Sequence, residues 1–192
     1  MLKELVLKNR SYRRFDESHR IERSTLRELI DLARITPSSA NLQPLKYVLS
    51  ADNKHNGLIF PHLRWAGYLA DWPGPPEGER PSGYIIILRD NLIFKADSCD
   101  HGIAAQTILL GAAEKDLGGC MIGNIDMKGL RVELEIAQHL DILLVLALGK
   151  PVEDVRLVQV GPDGNMKYWR DNQGVHHVPK RSLEEIIIGF DE

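Results

Sequence analysis

The sequence has little cysteine, little surplus of either charge and no long apolar run, and each shortage removes a class of protein. Cys99 and Cys120 are its two cysteines. They form no CxxC pair and cannot build a disulfide framework, so reduced thiols in a cytosolic protein are expected. Lys and Arg number 24 against 27 Asp and Glu, for a net charge of −3. That balance supplies no general field for nucleic acid or a membrane surface, and neither is expected as a partner. The longest apolar run, Ile142 to Leu148, is far too short to span a bilayer. The opening stretch MLKELVLKNRSYRRF has neither the apolar centre nor the cleavage site of a secretory signal, and a cytoplasmic location is expected. Internal repeats are absent. So are H-E-x-x-H, Walker A and the G-x-G-x-x-G order, and no metal site or catalytic triad is expected.

What is present is an ordinary globular mixture, 43% hydrophobic and 27% charged. The 192 residues suit a single domain spanning 1–192. Leu2, Leu5 and Val6 have helical spacing. A second helix is expected from Thr25 to Arg34, with Thr25 and Glu28 as a capping box and Leu26, Leu29, Ile30 and Ala33 as its apolar stripe. It stops short of Pro37. Lys46–Leu49, Tyr84–Leu88 and Ile142–Leu148 read as strands, the last ended by Gly149 and Pro151. Pro61–Ala70 reads as a helix. Asp71–Gly83, with Pro73, Pro75, Pro76 and Pro81, reads as a surface loop, either a lid or a simple connection. Asp97–Lys115 should be a long helix apolar on several sides, fit for the centre of a fold or an interface. Leu117–Gly123 reads as a glycine-rich turn entering a strand, and Asp126 as the cap of a helix over Lys128–Glu135. Helices and strands interleave without clean βαβ units, which points to an α+β fold, a mixed α/β sandwich.

Four clusters carry potential chemistry. Arg10, Ser11, Arg13 and Arg14 combine guanidinium forks with a hydroxyl, a donor set suited to phosphate. Lys180 and Arg181 form a second basic pair. In PSSANLQP, from Pro37 to Pro44, the side chains of Ser38, Ser39, Asn41 and Gln43 could read the polar edge of a planar heterocycle. In LGGCMIG, residues 117–123, glycines allow close approach of backbone to a flat ligand. Each has a plainer reading: a solvated helix end, a surface pair, a loop satisfied by its own Asx and Ser turns, a helix end followed by a strand. His176 and His177 are adjacent and cannot easily share a metal. Cys120 reads as a small buried thiol, and Trp65 and Trp72 as packing or the wall of a substrate pocket.

Taken together, RSYRRF, ARITPSSANLQP, EKDLGGCMIGNID and VPKRSLEEII resemble, in order and spacing, the FMN-dependent nitroreductase-like superfamily, over nearly the whole chain. The resemblance implies an FMN phosphate held by Arg10, Ser11, Arg13, Lys180 and Arg181. It implies contact of the flavin ring and ribityl chain with Pro37, Ser38, Ser39, Asn41 and Gln43, commonly from the other subunit, and with Met121, Ile122 and Gly123. It also implies an intertwined homodimer, for which the small-residue helix containing Gly102 and Ala105 would serve as interface. The expected activity is ping-pong transfer from NADH or NADPH, through FMN, to a small flat acceptor such as a nitroaromatic or quinone. No side chain need be catalytic, because the flavin carries the chemistry. Another flavin reaction, such as dehalogenation, and a non-catalytic flavin binder are the alternatives.

Overall fold

The three segments expected as strands belong to one antiparallel sheet, with Tyr84–Leu88 and Ile142–Leu148 at its centre and Lys46–Leu49 in an edge strand. The computed structural model of the chain describes residues 1–189. They gather into two compact units: Met1–Trp65 with Pro73–Val152, and Ala66–Trp72 with the segment from Glu153 onward.

In the first unit, β2 (Leu45–Ser50) pairs with β3 (Gly83–Asp90), and β3 pairs with β5 (Leu140–Pro151). Along its other partners β5 pairs with β4 (Gly118–Ile122) and, at its end, with the short β1 (Phe15–Asp16). Tyr84 to Leu88 are buried without interruption, so β3 is covered on both faces. Ile85, Ile87, Leu146 and Leu148 pack against α2 (Arg23–Arg34) and α4 (Asp100–Glu114). The stripe read on α2 is correct in direction: Leu26, Leu29 and Ala33 are buried. Burial of each leucine contributes roughly 1.5–3 kcal/mol. Gly111 lets α2 and α4 approach closely, since a Cβ there would lie 2.6 Å from Leu32 Cδ1.

Several expected boundaries are corrected. Helix α2 begins two residues earlier than Thr25, with Glu22 at its N-cap and no side-chain cap, so the Thr25–Glu28 box does not form. Pro61–Ala70 is not a helix. Instead α3 (Asn53–Ile59), capped by Asp52, ends in a 3-10 turn over Phe60–His62. Pro61 has no N–H for the next α-helical bond, and Ala66 sits at φ 36°. Strand β5 runs through Gly149 to Pro151 rather than stopping there, because Gly149 faces Gly118 across the ladder. The two glycines expected in a turn thus lie inside β4. Asp126 does cap α5 (Met127–Glu133), accepting from Gly129 N at 3.1 Å.

The expected lid is also anchored over part of its length. Gly74 packs on the Trp65 indole, where a Cβ would sit 2.6 Å from Cδ1, and Pro75 is buried. Phe15 N donates to Glu79 O at 3.0 Å and Gly78 N donates to Glu17 Oε2 at 2.6 Å. These bonds fix residues 74–80 within the first unit.

The second unit holds a small mixed sheet. In it β8 (His176–Lys180) runs parallel to β6 (Val155–Gln159) and antiparallel to β7 (Trp169–Arg170). Alternation along β8 sends its two histidines to opposite faces. His176 is buried with its ring 5.1 Å from Tyr168, and His177 stacks on Trp169 and meets Asp171 at 2.8 Å. Arg170 lies over the Trp72 ring at 4.9 Å and pairs with Glu153 at 3.0 Å. A short helix, α6 (Leu183–Ile186), follows with the capping box of Ser182 and Glu185. No group of His, Cys, Asp and Glu suited to a metal occurs among the described residues. No helix among them is long and apolar enough to cross a membrane.

Candidate functional site

The N-terminal basic segment is positioned by β4. Helix α1 (Leu2–Lys8) ends at Asn9, whose φ −73° and ψ 101° turn the chain into an extended run. Ser11 then bridges Gly119 in parallel, and Tyr12 N donates to Gly119 O at 3.0 Å. This approach needs both glycines. A Cβ on Gly119 would lie 2.6 Å from Leu109 Cδ2 and 2.7 Å from Ala147 O, and one on Gly118 would strike the Tyr12 ring. The close contact foreseen between these glycines and a flat ligand is made instead by the protein itself. Gly123 alone of this segment stays open, with only Leu144 Cδ2 within reach, at 3.8 Å. Met121 is exposed and Ile122 is buried in the core, as alternation along β4 requires.

The arginines divide into two kinds. Arg10 Nη2 bonds the Val6 carbonyl at the end of α1, while its Nε is buried without a partner. Arg13 is half-buried, with Nη1 3.1 Å from Ser11 O. Ser11 is exposed. Arg14 instead forms a double fork with Glu79 at 2.6 Å for both bonds. Arg14 is therefore committed to the fold through Glu79, while Arg10, Ser11 and Arg13 lie beside the edge of β4.

The 37–43 loop stands out from the fold. Pro37, Ser39, Ala40, Asn41, Leu42 and Gln43 are all exposed. Its backbone is forced: Ala40, Asn41 and Gln43 have φ of 48°, 55° and 52°. Such conformations cost on the order of 1 kcal/mol or more each for residues other than glycine, Asn less than the others. Part of the cost is offset internally, as Gln43 N donates to Ser38 Oγ at 3.3 Å and Gln43 Nε2 to Asn41 Oδ1 at 3.2 Å. Ser39 N donates to Asp100 Oδ1 at 3.0 Å, at the first residue of α4. A cavity of about 270 Å³ lies beside the loop, lined by Thr36, Pro37, Ser38, Gln43, Tyr47 and Asp100 among others.

Helix α4 sets these parts against one another. The loop sits at its first residue, whereas α1 meets it farther along: Asn9 Nδ2 reaches Gln106, and Lys8 pairs with Asp116 just beyond its end. Fifteen helical residues span about 20 Å. Within one chain the loop and the arginine segment are therefore held at different stations of the helix. The exposed stripe of α4 is Gly102, Ile103 and Gln106; Ala105, expected at an interface, is fully buried in the protomer.

Residues 6–66 and 81–150 match the nitroreductase family. The chain belongs to this family. The match takes in the arginine segment, the 37–43 loop and β4. No curated protein matches the sequence. Among solved structures, a nitroreductase family protein from Clostridium novyi NT is 20% identical, with a TM-score of 0.66 over 98% of this chain and 99% of its own. An FMN-dependent nitroreductase from Clostridium difficile R20291 is 24% identical, with a TM-score of 0.62 over 78% and 87% of the two chains. A protein from Exiguobacterium sibiricum 255-15 in complex with FMN is 15% identical, with a TM-score of 0.65 over 80% and 89%. At these identities the likeness is one of fold: an α+β nitroreductase fold, as the sequence led us to expect.

In this nitroreductase-family chain, the segments outside the family match include the C-terminal basic pair. Lys180 ends β8 with its side chain exposed, and Arg181 lies 3.6 Å from Glu185 in the first turn of α6. Sequence reasoning missed Asp100 and Tyr47. Asp100 is 3% exposed, and Tyr47 is pushed up to about 12 by burial and then by the facing Asp100. The one available signal was an acid at the head of an apolar helix, which sequence alone reads as a helix-end charge.

Proposed function

We propose that this protein is an FMN-dependent oxidoreductase acting as a homodimer. The Ser11–Gly119 bridge carries the reading, because it presents Arg10, Ser11 and Arg13 together at the edge of β4 in a nitroreductase fold. The donor set suits a phosphate dianion: two guanidiniums and a hydroxyl, with a buried Arg10 Nε that lacks a protein partner. Lys180 and Arg181 complete the phosphate grip. Pro37, Ser38, Ser39, Asn41 and Gln43 meet the flavin of the second subunit, since α4 keeps the loop away from its own arginine segment. Met121 and Gly123 flank the ring; Ile122 supports them from the core.

FMN, when bound, supplies the electron-transfer chemistry, taking a hydride from NADH or NADPH and passing electrons to a flat electron-poor acceptor. The chain's own contribution is binding and orientation. Arginines fix the phosphate end, the exposed amides and hydroxyls of the loop orient the ring, and the open side at Gly123 leaves room beside it. The FMN-dependent protein from Clostridium difficile and the FMN complex from Exiguobacterium sibiricum support the cofactor.

The test is the visible spectrum of the purified protein, before and after added FMN, followed by anaerobic addition of NADH or NADPH. A bound flavin that bleaches and is reoxidised by a quinone or nitroaromatic is expected. A flavin that neither nucleotide reduces would reassign the protein as a flavin binder, and failure to take up FMN would overturn the reading. Arg13→Ala and Arg181→Ala should each weaken FMN binding by roughly 1.5–3 kcal/mol, the worth of one charged hydrogen bond. Light scattering should give twice the 21.7 kDa chain mass, and Ile103→Arg on the exposed stripe of α4 should lower it toward one chain.

A further inference from the structure

We infer that Asp100 is a positioning residue for the 37–43 loop: its Oδ1 holds the Ser39 N–H, and through that bond it sets the conformation in which the loop meets the cofactor. The inference rests on the FMN reading above and goes beyond it, since Asp100 acts through the loop and not on the cofactor.

Three observations carry it. First, Asp100 is 3% exposed, and while Oδ1 accepts from Ser39 N at 3.0 Å, Oδ2 is buried without any partner. A side chain so costly to bury is kept for what it holds. It can sit there because it is the first residue of the 15-residue α4, whose N-terminal dipole end favours an acidic group. Second, the loop cannot keep its shape by local preference. Ala40, Asn41 and Gln43 all have positive φ, and Ala40 and Gln43 have no intrinsic reason to adopt it. Third, little else restrains it. Among the described residues, the bond from Ser39 to Asp100 is the one hydrogen bond tying residues 37–43 to another element. The cavity of about 270 Å³ beside the loop means that packing does not support it on that side. One buried acceptor therefore decides whether the amides of Asn41 and Gln43 are presented in a single arrangement.

The bond can be cut from either end. Asp100→Ala removes the acceptor, and Asp100→Asn keeps an acceptor oxygen. Ser39→Pro removes the donor, at a site where Ser38 already has the extended φ −133° and ψ 159° that a following proline requires. Ser39→Ala is its control, losing the hydroxyl but keeping the N–H. The readouts are FMN release on dilution of the flavin-loaded protein and the visible circular dichroism of the bound flavin.

Asp100→Ala and Ser39→Pro should each weaken FMN retention about tenfold and flatten the flavin dichroism, as expected when a buried hydrogen bond to a charged group is lost. Asp100→Asn should stay within about threefold of the parent, and Ser39→Pro should lose more than Ser39→Ala. The double variant should be no weaker than the worse single one, because both act on one bond. If Asp100→Ala does not fold, the comparison of Ser39→Pro with Ser39→Ala decides alone. Ser39→Pro and Asp100→Ala variants that keep parental retention and dichroism overturn the positioning role, as does an Asp100→Asn variant as damaged as Asp100→Ala. A parent protein that takes up no FMN overturns the cofactor reading and this inference together, and the first titration tells the two failures apart.

Discussion

Arg14 and Glu79 face each other through two hydrogen bonds of 2.6 Å, Nε to Oε2 and Nη2 to Oε1. This fork commits Arg14 to the fold and ties Glu79, inside the segment expected as a lid, to the N-terminal segment. Both side chains are somewhat more than a quarter exposed, at 29% and 27%, so the pair is worth more than a surface bridge but is still partly screened. Glu79→Ala should lower unfolding stability by about 1–2 kcal/mol, because it also leaves a half-buried guanidinium without its fork. FMN affinity should change little. Arg13→Ala should do the reverse, and chemical denaturation alongside flavin titration separates the two. Equal effects of Arg13→Ala and Glu79→Ala on both measurements would contradict this division of labour.

Gly119 is the second point of strain-free contact that a substitution would destroy. A Cβ there would press on Leu109, Leu148 and the Ala147 carbonyl, all within 2.8 Å. Gly119→Val should cost at least the 1–3 kcal/mol typical of overpacking a well-packed core. Because Gly119 also bridges Ser11, the variant should lose flavin affinity before it unfolds. Thermal scans and flavin retention at the same temperature check the order of events.

Acid should destabilise the fold through a few identified carboxylates. Hydrogen bonds from Asn91 and then Arg89 hold Asp141 below its ordinary value of 3.8. Asp171 is lowered chiefly by His177, and Asp126 by Gly129 N and then His62. A lowered folded value means that the unfolded chain binds these protons more readily. The contribution is therefore complete above about pH 5, where the unfolded carboxyls are also ionised, and is lost as pH falls through the folded values. The unfolding midpoint should decline from about pH 5 toward pH 3, and Asp141→Asn should make the remaining decline shallower. A midpoint curve of unchanged slope in Asp141→Asn would remove that residue from the account.

Alkali tests the facing of Tyr47 and Asp100. Burial first, and the acid second, push the Tyr47 hydroxyl up to about 12 from 10.0. Raised in the folded state, it contributes stability that is whole below the unfolded value and is lost as pH rises toward 12. In the ultraviolet titration, Tyr47 should ionise later than an exposed tyrosine. Asp100→Asn should move it back toward its ordinary value, with the desolvation part remaining. No movement would mean that the two side chains do not sense each other.

The elements that were legible in the sequence are those whose local signal and tertiary role coincide. The runs Tyr84–Leu88 and Ile142–Leu148 are apolar because they are covered on both faces, so composition alone marks them as central strands. The stripe of α2 and the Asp126 cap are equally local. Where two local signals compete, sequence reading failed. Thr25 and Glu28 have the spacing of a cap, yet α2 starts at Arg23; Pro61 could open a helix, yet it closes one. The pattern of the glycines was visible, but their reason was not. Gly118 and Gly119 are small because Tyr12 and Leu109 lie against them, and neither neighbour is near in sequence.

For the site, the sequence by itself determined which groups exist and, through family membership, the fold that arranges them. Arg10, Ser11, Arg13 and the polar loop are chemical types readable at their positions, since donors for a phosphate or a ring edge are properties of side chains. Only the tertiary structure decided which of them are committed elsewhere. Arg14 is taken by Glu79, Ile122 by the core, Ala105 by the packing of α4, and the backbone N–H of Ser39, though not its hydroxyl, by Asp100. The physical reason is range. Residue type, helical stripes and caps act over a few positions, whereas these commitments join residues 61 and 65 positions apart and depend on burial, which a chain acquires only when it folds.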